Sequence, residues 1–323
     1  MASPKRRAFR GRVVYAILKT LGAIVRRLPL AFGRFCGSIL GEVAFLVARR
    51  ERKRGLENLG LAFPDWSASR RRKTLRATFH HLGKAVFEIL WLPNINAANL
   101  HDYIEYDGFD RTVEQMRAGR TVIVFTAHCG NWECLAYGVG MASEGLPVSV
   151  LQRERNEADI NRYISDLRAS AGVHTIDRGS AGAAREMIQS TRRGGILAFL
   201  IDQNLRTESA KVPFFGRPAL TPIGPAKLAI RAKTLVVAGF VERQPNGKHL
   251  IRFHEPFEAS GDPIELTARF TRIIEEQIRR VPEQWVWFHD RYRERPKWEV
   301  AVAQSAAPLP DTPARPDGSD RSG

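Results

Sequence analysis

One stretch of the 323-residue chain can bring an imidazole and a carboxylate together: TVIVFTAHCGNWE, residues 121–133. An apolar, β-branched run ends, and His128 and Glu133 then flank Cys-Gly-Asn-Trp. On one continuous helix, five residues subtend about 140°, which separates the two side chains onto different faces. They meet only if His128 sits on a strand-to-helix turn and Glu133 in the first helical turn. Gly130 permits such a turn, Asn131 is a good N-cap, and a carboxylate at a helix start is favoured by the helix dipole. So arranged, Glu133 is expected to accept a hydrogen bond from one imidazole nitrogen, fixing the tautomer and supporting positive charge. The other nitrogen then takes the proton of a hydroxyl as it attacks a thioester carbonyl. No serine is placed to act as the protein's own nucleophile. The pattern by itself equally fits a histidine at a strand end and a glutamate that only caps the next helix.

Cys129, beside His128, raises thiolate chemistry as an alternative. Adjacent residues on a strand or turn point apart, however, so the imidazole reaches that thiol poorly. The three cysteines (Cys36, Cys129, Cys134) form no CxxC pair and suit a reducing compartment. No zinc site can be assembled from them at recognised spacing, and no metal or cofactor is expected.

The elements around the motif read as an α/β fold. Apolar runs at Thr121–Thr126, Val148–Leu151, His174–Ile176 and Ile196–Ile201 alternate with helix-like stretches ending near Ser143, Ala171 and Arg193. Strands alternating with amphipathic helices predict a mostly parallel central sheet covered on both faces, with its site at the strands' C-terminal ends. Ser67–Trp91 reads as an amphipathic helix capped by Ser67 or Ser69, with Leu75, Phe79, Leu82, Val86, Ile89 and Leu90 at helical spacing. It is expected to pack over the sheet and help form an apolar groove. Phe214–Pro225 reads as a Gly/Pro-punctuated loop. A helix at Ala226–Ala232, strands near Leu235–Glu242 and His249–His254, and a helix at Glu265–Arg280 follow.

The net charge of +16 demands an anionic partner. Residues 1–54 hold 14 Lys and Arg against Glu42 and Glu51, a local balance of +12, interleaved with apolar runs. Leu28–Ala48 is 21 residues long and contains Arg34 and Glu42. A basic nucleic-acid arm would be poor in Leu, Val, Ile and Phe, so this segment suits an anionic bilayer instead. One true span, an interfacial or re-entrant helix pair, and a buried core hairpin remain open. Trp132, Trp285 and Trp287 read as core or bilayer-interface aromatics, not a nucleic-acid stacking set. Three regions follow: a basic, apolar membrane-associating segment (1–54), an α/β domain carrying the histidine motif (55–300), and a tail (301–323) rich in Ala, Pro, Ser, Asp and Gly that is expected to be disordered.

Several elements, in order, carry a resemblance: RGLENLGLAFP (54–64), HCGNWE (128–133), LQRERN (151–156), LRASAGVHTIDR (167–178), LIDQN (200–204), PFFGRPA (213–219), IGPAKLA (223–229) and PEQWVWFHDR (282–291). Together they resemble the bacterial lipid A acyltransferases, a branch of the lysophospholipid acyltransferase superfamily, over about residues 10–298. Elsewhere in that superfamily an Asp more often stands where Glu133 does. The resemblance implies a glycerolipid acyltransferase-like fold, with His128 as general base and Glu133 as its orienting carboxylate. It also implies that Arg168 and Asp202 are needed at the site. Arg168 is then a candidate for a lipid phosphate or a developing oxyanion, and Asp202 for holding that arginine or an acceptor sugar. Alternatively the two are a structural ion pair. Arg153 and Arg178 are weaker candidates for phosphate contacts and can equally be solvated charges.

The resemblance further implies acyl carrier protein as donor, an acidic partner for a basic surface. It implies a lipid A precursor such as Kdo2-lipid IVA as acceptor, anionic membrane lipids as surroundings, and the cytoplasmic face of the inner membrane as location. Other lipid acceptors (a glycerolipid, an ornithine lipid, a mannosylated phosphoinositide), a thioesterase in which water replaces the lipid hydroxyl, and a nucleic-acid-binding protein are the competing readings. The apolar N-terminus argues against the last.

Overall fold

The computed structural model describes residues 4–153, 158–205 and 207–293, so the tail expected at 301–323 lies outside the described residues. The chain opens with four helices, α1 (Pro4–Val25), α2 (Leu30–Val47), α3 (Arg49–Ala62) and α4 (Ala68–Trp91). Ser67 caps α4, its hydroxyl accepting from the Arg70 N–H at 3.2 Å. Helix α2 lies on α4 with almost no side chain between them: a Cβ on Gly83 would stand 2.0 Å from the Gly37 carbonyl oxygen, and one on Gly41 2.3 Å from that of Phe79. Such closeness needs glycine on both helices.

This packing explains the two charges inside the apolar run. Arg34 reaches Glu88 of α4 at 2.7 Å, and Glu42 meets Arg76 and His80 of α4 at 2.7 and 2.6 Å. Both charges therefore face protein. On the opposite side of α2, Phe32, Phe35, Ile39, Val43 and Leu46 are exposed at helical spacing. By length and composition α2 is long and apolar enough to cross a membrane.

Next come α5 (Leu100–Tyr103), β1 (Ile104–Asp107), α6 (Phe109–Arg117), β2 (Thr121–Thr126), α7 (Trp132–Ala142), β3 (Val148–Arg153), α8 (Ala158–Ala169), β4 (Val173–Arg178), α9 (Ala183–Ser190) and β5 (Gly195–Leu200). A small hairpin, β6 (Ser209–Phe214) and β7 (Arg217–Pro222), precedes α10 (Gly224–Ala232), β8 (Leu235–Arg243), β9 (His249–Phe253), β10 (Phe257–Glu258) and α11 (Pro263–Arg280). The main sheet runs β1-β9-β8-β2-β5-β3-β4, with β10 paired to β8. Only the β8–β9 and β8–β10 pairings are antiparallel, so the mostly parallel sheet flanked by helices is what the alternating pattern predicted.

All six residues of β2 are buried, because both faces are covered. Val122 and Val124 pack into a core with α6, α7 and α8, while Ile123 and Phe125 pack on the other side with α9, α10, α11 and α3. The hairpin β6–β7 corrects the loop expected at Phe214–Pro225. Pro213 and Pro218 stand opposite each other in its register, and prolines at 213, 218 and 222 disguise the strands. Its two-residue turn, Phe215-Gly216, has φ of +49° and +70°, the left-handed pair that suits a tight hairpin.

Candidate active site

The site begins where β2 stops. Ala127 to Asn131 form the turn into α7, and Gly130 makes it possible. Its φ is +66°, and a Cβ there would lie 1.9 Å from the Val241 carbonyl oxygen of β8. The turn is pinned from several sides. The Gly130 N–H donates to the Gln284 carbonyl at 2.7 Å, and the Val286 N–H to the His128 carbonyl at 3.3 Å. Asn131, wholly buried, caps α7 by accepting from the Cys134 N–H at 3.2 Å and donates to Glu88 at 3.1 Å.

His128 pairs with Asp202, not with Glu133. The imidazole Nδ1 lies 2.8 Å from Asp202 Oδ1, and the main-chain N–H of His128 donates to Oδ2 at 3.0 Å. The Trp285 indole N–H donates to Oδ2 at 2.8 Å. Strand register produces the encounter: β2 and β5 are parallel neighbours with Thr126 opposite Leu200, so the residues two beyond each end lie side by side. Burial alone would raise the Asp202 carboxyl, but the His128 charge and the hydrogen bonds from His128 and Trp285 hold it down, to about 2. An ionised carboxylate only accepts, so in the neutral imidazole the proton is on Nδ1 and the lone pair on Nε2. Nε2 has no hydrogen-bond partner among the described residues.

The hydrogen bond that Glu133 is expected to accept from His128 is therefore not made. Glu133, in the first turn of α7, faces α8, where Arg168 Nε and Nη2 each stand 2.8 Å from one of its oxygens. Arg168 Nη1 donates to Gln152 at 2.9 Å. The fork expected to be open for a lipid phosphate is thus already filled, and Asp202 does not hold Arg168. Four candidates form two separate pairs, His128–Asp202 and Glu133–Arg168, and both pairs are buried or nearly so.

Between α7 and strands β2, β5 and β3 runs a narrow apolar pocket of about 40 Å³. Thr126, Leu200 and Arg168 line it at the strands' C-terminal end, Ala198 midway, and Ile196 and Val148 at its depth. Trp132 also lines it and packs edge-on against the His128 ring, centroids 5.0 Å apart. Helix α4, expected to help form an apolar groove, does not line this pocket.

The remaining candidates stand apart. Arg153 ends β3 opposite Arg178 in register, and its side chain lies outside the described residues. Arg178 borders a second apolar pocket, bounded also by Leu151, Leu200, Met187 and Leu228. Cys129 is buried, and burial with the nearby Asp202 charge pushes its thiol up to about 12, so it stays protonated. Trp285 and Trp287 are core residues, 2% and 1% exposed, which settles their placement between core and interface. The contribution of Trp285 to Asp202 was not read from the sequence, although PEQWVWFHDR contained it. Also unread was Glu88, buried in α4 against Arg34, Arg243, His249 and Asn131.

A family model for the bacterial lipid A biosynthesis acyltransferases matches residues 3–294. The chain is similar to the lipid A biosynthesis palmitoleoyltransferase of Escherichia coli (strain K12), 25% identical over 283 residues, 85% of this chain and 90% of that protein. It is also similar to the lipid A biosynthesis acyltransferase of Haemophilus influenzae, 25% identical over 252 residues, 77% of each chain. The phosphatidylinositol mannoside acyltransferase of Mycobacterium tuberculosis (strain ATCC 25618 / H37Rv) is 23% identical over 233 residues, 71% of each chain.

Proposed function

Because this chain belongs to the bacterial lipid A biosynthesis acyltransferase family, and so is an O-acyltransferase, we propose that it moves a fatty acyl chain from acyl carrier protein onto a lipid A precursor. The acceptor group is a sugar hydroxyl or the hydroxyl of a hydroxyacyl chain on a molecule such as Kdo2-lipid IVA. The observation that carries this reading is a histidine with a free Nε2, held by a buried carboxylate, beside the mouth of an apolar pocket.

The donor's acyl chain lies in the pocket with its thioester carbonyl at the mouth. Nε2 of His128 takes the proton of the acceptor hydroxyl as its oxygen bonds to the carbonyl carbon. The negative Asp202 stabilises the imidazolium so formed. The tetrahedral adduct collapses with cleavage of the carbon–sulfur bond, and Nε2–H gives its proton to the departing thiolate. No acyl-enzyme is needed. Glu133 and Arg168 act as a pair that fixes the pocket mouth between α7 and α8.

The exposed apolar side of α2 and the basic N-terminus support a seat on an anionic bilayer, the cytoplasmic face of the inner membrane. With one face of α2 committed to α4, the helix lies against the bilayer more readily than it spans alone. The similarity to a phosphatidylinositol mannoside acyltransferase supports a second acceptor class, a glycosylated phospholipid. Mass spectrometry of lipid A from cells with and without the gene tests the first acceptor: an acyl-mass difference is expected, and unchanged lipid A overturns it. His128→Ala is expected to stay folded and membrane-bound while transfer disappears.

A further inference from the structure

A second polar site lies on the other side of the His128 turn. Helices α2 and α4 and the β8–β9 hairpin enclose a pocket of about 760 Å³ lined by Arg34, Lys84, Arg243, Arg280, Glu242 and Gln284. Its wall is shared with the site, since the Gln284 carbonyl accepts from the Gly130 N–H at 2.7 Å.

Positive charge is in excess here. Arg34 and Arg243 share one buried carboxylate, Glu88: Arg34 Nε at 2.7 Å, Arg243 Nε and Nη2 at 2.8 and 2.6 Å. Lys84 has no ion-pair partner among the described residues, and its burial beside Arg243 and Arg34 lowers its pKa. Glu242 is taken up by Arg280 at 3.3 Å and Arg252 at 3.8 Å, and Glu283 is the remaining carboxylate on the wall. His80 is engaged by Glu42, and burial keeps His81 neutral. Four fixed cations (Arg34, Lys84, Arg243 and Arg280) thus face three carboxylates, counting Glu88. Nη1 of Arg34 and Nζ of Lys84 are without hydrogen-bond partners among the described residues, so donors remain for a ligand.

We propose that this pocket binds a phosphate group of the acceptor lipid, with Arg34, Lys84 and Arg243 supplying the charge. The assignment rests on the lipid-acceptor reading above. The neighbouring apolar surface favours a lipid phosphate over a soluble one: Arg34 turns inward on α2 between Phe32 and Phe35, which are exposed on its outer side. A phosphate held there sits at the level of an apolar surface, as a headgroup does.

Lys84→Met removes a charge without touching the Glu88 pairs. Full-length protein in a neutral detergent is titrated with a short-chain phosphatidate, with inorganic phosphate, and with the matching diacylglycerol. Phosphatidate is expected to bind at least tenfold more weakly to Lys84→Met than to wild type, with Lys84→Arg restoring affinity and diacylglycerol indifferent to all three. Equal dependence for inorganic phosphate assigns the pocket to phosphate as such, and dependence for phosphatidate alone assigns it to a headgroup. Absence of phosphatidate binding by wild type, or equal affinity in Lys84→Met, overturns the proposal. The titration needs no turnover, so its failure is separate from failure of the acyl-transfer reading, which the lipid A mass comparison tests.

Discussion

Asp202 grips His128 at two points, taking the imidazole Nδ1–H on one oxygen and the main-chain N–H on the other. Ring and backbone are thus fixed by a single carboxylate, itself anchored by the Trp285 indole. Asp202→Asn is informative because the amide cannot satisfy both partners. Two N–H groups already point at the Oδ2 position, so the amide oxygen belongs there and the NH2 faces Nδ1. Nδ1 must then accept, the ring proton moves to Nε2, and the base is lost. The expected outcome is a fall in kcat of about a hundredfold to ten-thousandfold, with KM nearly unchanged, in steady-state assays. A kcat within threefold of wild type would remove Asp202 from the mechanism.

Glu133 should behave differently. Its carboxylate neutralises a guanidinium that is 9% exposed, so Glu133→Ala strands a buried cation and is expected to lower stability by about 3–5 kcal/mol. Removing both partners, Glu133→Leu with Arg168→Met, should recover much of that loss. Denaturant midpoints of the two single variants and the double variant give the coupling. Additive losses would mean the pair is not an energetic unit.

The sequence pointed to His128 through its local motif and, by the same locality, to the wrong partner for it. Glu133 is five residues away and invites pairing, whereas Asp202 arrives through strand order, a tertiary fact that no local pattern contains. Asp202 was singled out only through the family resemblance. The apolar face assigned to α4 holds at Leu75, Phe79 and Leu90, which are buried, and breaks at Val86. Val86 fits the helical spacing yet is 47% exposed, while Glu88 is 3% exposed because Arg34 of α2, Arg243 of β8 and the His249 imidazole of β9 converge on it. Strands such as Thr121–Thr126 were legible because burial on both faces writes a continuous apolar run. The β6–β7 hairpin was not, since proline obscures the alternation that marks a strand.

Acid should weaken the fold through His81. Burial, reinforced by the Arg243 guanidinium whose Nη1 lies 2.6 Å from its Nδ1, lowers this imidazole to about 3 in the folded protein. The unfolded chain returns it to about 6.5. Unfolding therefore takes up a proton between these values, and the stability present above pH 6.5 is lost progressively as pH falls towards 3. One such proton contributes a slope of about 1.4 kcal/mol per pH unit. His81→Gln should reduce the slope of unfolding free energy between pH 6 and 5 by about that amount, whatever its effect at pH 7. An unchanged slope would show that His81 titrates normally in the fold.

Pocket depth follows from strand direction. Ile196 and Leu200 of β5 both line the pocket, at its depth and its mouth, and four strand residues span about 13 Å. An alkyl zigzag of roughly 1.5 Å bonds advances about 1.3 Å per carbon, so this wall is as long as about ten methylenes. Ala198 stands halfway along it. Ala198→Phe should block the deeper half and strand about five methylenes of a long donor outside. At about 0.8 kcal/mol per buried methylene, the ratio of kcat/KM for a long-chain over a six-carbon acyl donor should fall by a factor of about a hundred or more. The six-carbon donor, which stops at the mouth-side half, should retain its wild-type kcat/KM within a few-fold. Competition assays with acyl carrier protein loaded with each chain read the ratio directly. Equal losses for both donors would mean that the substitution damages the site as a whole, and an unchanged ratio would mean that the acyl chain lies elsewhere.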